Sequence, residues 1–287
     1  MLIGIHTSIQ KGYSASIAEG EECGAEAIQI FIRQNLSWKK KEISNEEIEE
    51  FRKRFKISNS VKKVIAHSSY LINLASDNRT TIKRSISLMT EELKLCSRLG
   101  INIYVIHPGS HRGRGVEVGI DKIIDGLMEV REMSGEIPVI ITFETTAGSG
   151  NQIGSNIEEL SELIDRAKSF FDTGLCIDTA HLFASGYDIS DEDGYEKLID
   201  KIDNEIGIKR LLVCHINDSK VKLGSKKDRH EHIGKGMIGL SVFRRILKDK
   251  RIENALAILE TPKGIRPDDG LSYDRINVGL LKRLRDE

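Results

Sequence analysis

Residues 176–189 read CIDTAHLFASGYDI. A short apolar run stops at Asp178, and His181 follows three residues later, where a helix would begin. Aspartate after a strand is a common N-cap, because its carboxylate accepts from the free N–H groups of the first helical turn. The stretch therefore reads as one strand-to-helix unit, and what Asp178 and His181 do there depends on whether the unit recurs.

It recurs along the whole chain. Short β-branched runs lie at 2–6 (LIGIH), 27–31 (AIQIF), 64–67 (VIAH), 103–107 (IYVIH), 139–144 (VIITFE), 175–179 (LCIDT), 211–215 (LLVCH) and 256–260 (LAILE). Helical-period segments separate them. Ser44 and Glu47 form a capping box ahead of Ile48, Phe51 and Phe55. Ile82, Ile86, Met89 and Leu93 repeat at helical spacing and stop at Gly100, and Ile120, Ile123, Ile124, Leu127 and Val130 stop near Gly135. A last helix runs through Ile276, Leu280 and Leu284. Eight such units in 287 residues predict an α/β fold, a single (β/α)8 TIM barrel over residues 1–287 with its site at the carboxyl ends of the strands. An open doubly wound sheet is the alternative; the missing GxGxxG after the first run and the count of eight disfavour it.

Bulk properties narrow the setting. The formal charge of −1 gives no basic footprint for nucleic acid. Cys23, Cys96, Cys176 and Cys214 lack CxxC spacing, which points to buried thiols in a reducing compartment and away from a thiolate zinc site. No run of about eighteen apolar residues is present and the N-terminal run is too short for a signal peptide, so a cytoplasmic protein without membrane contact is expected.

The carboxyl ends of the runs carry the chemistry. Runs three to eight end in His67, His107, Glu144, Asp178, His215 and Glu260. A lone histidine at a strand end is more often a loop hydrogen-bonder, but three of these six are imidazoles, which are not capping residues. In a barrel such ends converge on one place. Asp228 and His230, two apart in the loop after run seven, and His181 join the set, leaving His6, His111 and His232 outside it. Nitrogen and oxygen donors without sulfur suit zinc or manganese and are too rich in imidazole for magnesium or calcium. Nine ligands exceed what one ion uses, so two or three ions with an open position each are expected, and that charge would attract a phosphate.

The motifs CIDTAHLFASGYDI, HINDSKVKLGSKKDRHEHIGKG (215–236), HSSYLINLAS (67–76), HPGSH (107–111) and FETTAGSGNQIG (143–154) resemble the endonuclease IV family of abasic-site endonucleases over the whole chain. The resemblance implies three zinc ions, with manganese an option at one position. Glu144 would bridge two of them, the first also held by His67 and His107, the second by Asp178, His215 and Glu260; His181, Asp228 and His230 would hold the third. It further implies hydrolysis of the phosphodiester 5′ to an abasic site in double-stranded DNA, leaving a 3′-hydroxyl and a 5′-deoxyribose phosphate, with metal-activated water as nucleophile. Thr179 and Ala180 are then spacers between ligands, and Cys176 packs inside the barrel.

An abasic nucleotide is the least costly to flip, which would give selectivity. Tyr70 and Leu71 match family positions that push into the duplex, although ordinary core packing would also explain them. Arg33, Trp38 and Lys39 to Lys41 offer backbone contacts, or a solvated basic run. Many relatives carry arginine where this chain has Leu36, and asparagine where it has Gln34; a leucine can act as an apolar wedge but cannot hydrogen-bond. A sugar isomerase or epimerase, holding about one ion, and a non-catalytic metal-stabilised DNA binder are the competing readings. Nothing in the sequence signals a protein partner, so a monomer is expected.

Overall fold

The computed structural model describes residues 1–33, 38 and 42–287. Eight parallel strands close into a barrel: β1 (Leu2–Thr7), β2 (Ala27–Phe31), β3 (Lys63–His67), β4 (Ile103–Ile106), β5 (Ile140–Glu144), β6 (Thr173–Asp178), β7 (Leu211–His215) and, after a ribbon of β8 (Asp218–Ser219) and β9 (His230–Glu231), β10 (Leu256–Leu259). β10 pairs with β1 and closes the ring. The eight apolar runs are thus the eight barrel strands, to within two residues at each end. His107 and Glu260 stand one residue beyond theirs.

Helices cover the outside: α1 (Tyr13–Glu22), α2 (Asn45–Ile57), α3 (Arg79–Leu99), α4 (Val116–Ser134), α5 (Ile157–Ala167), the short α6 (Thr179–Ser185), α7 (Glu192–Glu205), α8 (Leu240–Lys248) and α9 (Tyr273–Asp286). Their ends follow the sequence signals. The Ser44 side chain accepts from the Glu47 N–H at the start of α2, and Gly100 ends α3 in the left-handed region at φ 79°, where a Cβ would be strained. None of the described helices is long and apolar enough to cross a membrane.

Two apolar layers result. Ala27, Ile65, Ile103, Val105, Cys176, Val213, Leu256 and Ile258 fill the barrel interior, and a larger cluster seals the strands against the helices. Cys176 is inside, as its position predicts, and burial pushes its thiol up to about 12. The last helix differs from its expected stripe. Asn277, Val278, Leu281 and Leu284 face inward while Ile276 and Leu280 are half-buried, because Asn277 turns in to donate to Thr261 Oγ1 at 3.0 Å and accept from the Ile233 N–H at 3.3 Å.

Candidate metal centre

Strand register brings the polar ends close together: Asp178 is opposite His215, and Glu144 is opposite Cys176, two residues before Asp178 on the same strand, so β5, β6 and β7 deliver their polar groups to adjoining levels of the barrel mouth. Glu144 lies at the centre, fully buried. Its Oε2 is 3.1 Å from His67 Nε2 and 3.5 Å from His107 Nε2, while its Oε1 is 3.0 Å from His215 Nδ1 and 3.4 Å from His181 Nδ1. Its two oxygens thus face different sets of imidazoles, the arrangement a bridging carboxylate needs. His215 Nδ1 also stands 3.4 Å from Glu260 Oε2 and 3.9 Å from Asp178 Oδ2. On the far side His181 Nε2 is 3.3 Å from Asp228 Oδ2, and His230 Nε2 is 3.2 Å from Asp228 Oδ1 and 3.5 Å from Asp178 Oδ2.

These nine residues form three overlapping donor groups: His67, His107 and Glu144; Glu144, Asp178, His215 and Glu260; and Asp178, His181 and His230, with Asp228 beside the last. Two ligand atoms about 2.1 Å from one tetrahedral ion stand about 3.4 Å apart, and the acid–imidazole contacts here, 3.0–3.9 Å, bracket that spacing. His230 Nε2 is buried between two carboxylates without a hydrogen bond. A buried nitrogen left in that state is costly unless something electrophilic sits in front of it, so the donor set fits a divalent cation.

The electrostatics tell the same story. Burial alone would raise the carboxyl of Glu144, but the imidazoles of His107 and His215 and hydrogen bonds from His181 and His215 outweigh it and hold it well below the usual range. Glu260 is likewise lowered, burial being overcome by His215 and His6. Burial opposes a charged His181, yet Asp178, Asp228 and Glu144 pull it well above its ordinary value. An entering cation therefore displaces protons held between acids and imidazoles.

Asp178 caps α6 and also faces the donor cluster. Its Oδ1 accepts from the His181 N–H at 2.9 Å and caps α6, while Oδ2 turns into the donor cluster and accepts from Asn217 Nδ2 at 2.7 Å. Thr179 is more than a spacer: its hydroxyl donates to Asn217 O at 2.6 Å and accepts from the Asn217 N–H at 2.9 Å, locking the ends of β6 and β7 together.

A family model described as a xylose isomerase-like TIM barrel matches residues 17–276. A protein of Trichlorobacter lovleyi named probable endonuclease 4 is 40% identical over 282 residues, covering 98% of this chain and 99% of the relative. The chain belongs to the endonuclease IV family. The crystal structure of endonuclease IV from Thermus thermophilus is 30% identical, superposes with a TM-score of 0.86 and covers 100% of this chain and 99% of that one. A 3-keto-D-glucoside 4-epimerase from E. coli superposes at TM-score 0.68 with 14% identity, covering 99% of each chain, which shows a shared fold and no more. As a member of the endonuclease IV family the protein is a metal-dependent nuclease with a role in DNA repair.

The other family positions are placed as follows. Tyr70 is 56% exposed at the rim, its ring 5.2 Å from Phe31 and 5.9 Å from His67, whereas Leu71 is half-buried against the core. Arg33 faces inward and lies 3.5 Å from Glu91. The Arg84 guanidinium sits 5.8 Å over the ring of half-buried Trp38. Leu36, with Gln34 and Lys39 to Lys41, lies outside the described residues.

Several contributors were not legible as candidates. Asp218, the first residue of β8, is buried and accepts from four backbone N–H groups, those of Ser219, Gly234, Gly236 and Ile238 at 2.8–3.0 Å, and so shapes the loop that carries Asp228 and His230. Thr145 accepts from the Asp178 N–H at 2.8 Å with its hydroxyl and from His181 Nδ1 at 2.8 Å with its carbonyl. His6, set aside as a residue of no assigned role, has its Nδ1 2.9 Å from Glu260 Oε1. His232 stacks on Tyr273 at 4.2 Å, and His111 Nδ1 accepts from the Gly115 N–H at 3.0 Å in its own loop.

Proposed function

We propose that this protein hydrolyses the phosphodiester 5′ to an abasic site in double-stranded DNA, leaving a 3′-hydroxyl and a 5′-deoxyribose phosphate, with residues 1–287 acting as one catalytic barrel and as a monomer. The observation that carries this reading is the division of Glu144 between two imidazole sets, with a third donor group beyond Asp178. His67, His107 and Glu144 would hold one zinc ion, Glu144, Asp178, His215 and Glu260 a second, and His181, Asp228 and His230 a third, with manganese an option at one position. When bound, such ions supply Lewis acidity towards the phosphodiester and activation of water.

The chain's own residues supply the rest. The backbone carbonyls of Ser68, Thr145 and Glu260 take the Nδ1 protons of His67, His181 and His230, at 2.9, 2.8 and 3.1 Å, and so make Nε2 the nitrogen each ring would offer to a cation once its proton is displaced. The four carboxylates would offset most but not all of the charge of three divalent ions, leaving a positive surplus that attracts a phosphate. Exposed Tyr70 stands where it can press against a base at the lesion, with half-buried Leu71 beside it in sequence, and Leu36, Arg33 and Trp38 are the further DNA contacts this reading assigns.

The test is an incision assay on end-labelled duplex with one synthetic abasic site, beside an undamaged duplex and a Glu144→Ala variant. Cleavage at the lesion alone, on its 5′ side, with an extendable 3′ end and none in the variant, is the expected result. Intact DNA together with turnover of a ketohexose would favour the epimerase reading. Tight duplex binding without cleavage, unaffected by the substitution, would favour a non-catalytic binder.

A further inference from the structure

Gln29 is a polar side chain in the middle of an apolar barrel strand, and it is fully buried. In a parallel barrel such a position is ordinarily aliphatic. Its carboxamide is fully engaged. Oε1 accepts from His215 Nε2 at 2.9 Å, and Nε2 donates to Glu260 Oε1 at 2.6 Å while lying 3.0 Å from His6 Nδ1. The amide cannot be turned round, because its oxygen would then face a carboxylate oxygen at that short distance. Glu260 thus sets the amide, and the amide sets His215.

The consequence is specific to one ring. A carboxamide oxygen only accepts, so His215 keeps a proton on Nε2, and Nδ1, 3.0 Å from Glu144 Oε1 and 3.4 Å from Glu260 Oε2, is the nitrogen that gives up its proton to an entering cation. His67, His181 and His230 have the opposite polarity, each with Nδ1 on a main-chain carbonyl. His215 Nε2 points across the barrel, where the partner is a side chain of β2.

We propose that Gln29 is a positioning residue of the metal centre: by bridging His215 and Glu260 from within the barrel it fixes the Nε2–H form of His215 and aims both side chains at the ion position they share with Glu144 and Asp178. This rests on the three-ion reading above. Without the carboxamide, His215 is free to carry its proton on Nδ1, which blocks its ligand atom, and Glu260 loses a donor that holds its other oxygen. Outer partners of this kind change metal affinity by roughly 10–100-fold.

The test uses the full-length zinc-loaded protein, Gln29→Met, which keeps the side-chain length without a carboxamide, and Gln29→Glu, which keeps an acceptor for His215 but gives up the donor to Glu260. Long-range ¹H–¹⁵N NMR of the imidazoles should show the Nε2–H form of His215 in the parent and in Gln29→Glu, and its loss in Gln29→Met. Chelator titration should release one ion about 10–100-fold more readily from both variants, with the others retained at parental affinity. A folded Gln29→Met with unchanged His215 tautomer and unchanged release of every ion would overturn the proposal. So would uniform loosening of all ions, the mark of a general packing defect. Should Gln29→Met not fold, loss of the Nε2–H form in Gln29→Glu would have the same force. A parent protein holding a single ion would instead defeat the three-ion reading, and the tautomer measurement would still decide the role of Gln29.

Discussion

Glu92 offers a sharp quantitative test of how the rim of the site is supported. It is fully buried on α3, where its Oε2 accepts from Tyr104 Oη at 2.5 Å and from the Ser69 N–H at 3.3 Å, next to Tyr70, while Oε1 has no partner. Burial raises its carboxyl to about 7, more than the hydrogen bonds and the nearby Arg33 and His67 offset. The unfolded group titrates at 4.5, so between that pH and about 7 the unfolded chain has given up a proton that the folded one keeps. The unfolded state therefore binds fewer protons, and stability falls as pH rises through this window. A difference of about 2.5 units at about 1.4 kcal/mol each corresponds to roughly 3 kcal/mol lost once the pH is above 7.

Glu92→Gln removes the titration but keeps an oxygen for Tyr104 and Ser69. Urea unfolding of parent and variant, both metal-free, should give nearly equal stabilities at pH 4.5 and a variant more stable by about 3 kcal/mol at pH 8. Taking the difference cancels the histidines, which titrate in both proteins. A difference that stays flat with pH, or that favours the parent as pH rises, would refute the assignment of Glu92 as a buried neutral acid.

Three further outcomes follow from the same geometry. Gly236→Ala would drive a Cβ into Ser219 O and to 2.5 Å from Asp218 Oδ1, so overpacking should cost about 1–3 kcal/mol in thermal or urea unfolding and weaken zinc retention at the His181, Asp228 and His230 group first. Tyr70→Ala should weaken binding of abasic duplex by about 5–150-fold, corresponding to about 1–3 kcal/mol of stacking, with metal content unchanged by elemental analysis. Chelation should lower the Tm in calorimetry, since each ion that binds only the folded state adds RT ln(1 + [L]/Kd), and lowering the pH should make chelation easier because the imidazoles must lose protons to bind metal.

The barrel was legible because its strands are buried on both faces and so read as unbroken apolar runs, each followed by a helix with recognisable ends. Six of the nine candidate ligands were legible for a related reason: a His, Asp or Glu that ends such a run has nowhere to go but the mouth; His181, Asp228 and His230 were legible from their places in the segments that follow runs six and seven. What supports those ligands was harder to see. Thr145, Thr179 and Asn217 are common turn residues, and only register shows that they tie β5, β6 and β7 to one another. Asp218 looks like any loop acid until its four backbone donors are brought together by the chain from 219 to 238. Gln29 did carry a signal, a polar residue centred in AIQIF, but its partners are 186 and 231 residues away. The inward turn of Asn277 shifted the buried stripe of α9 because a polar side chain there satisfies Thr261 and the loop at Ile233.

The central claim is that nine side chains from six strand ends and two adjoining segments hold three ions. A crystal structure of the zinc-loaded protein, with anomalous scattering recorded at the zinc edge, tests it most directly. Three peaks are expected: one among His67, His107 and Glu144, one among Glu144, Asp178, His215 and Glu260, and one among His181, Asp228 and His230. A single peak in a fully loaded crystal, or peaks away from Glu144, would contradict the account.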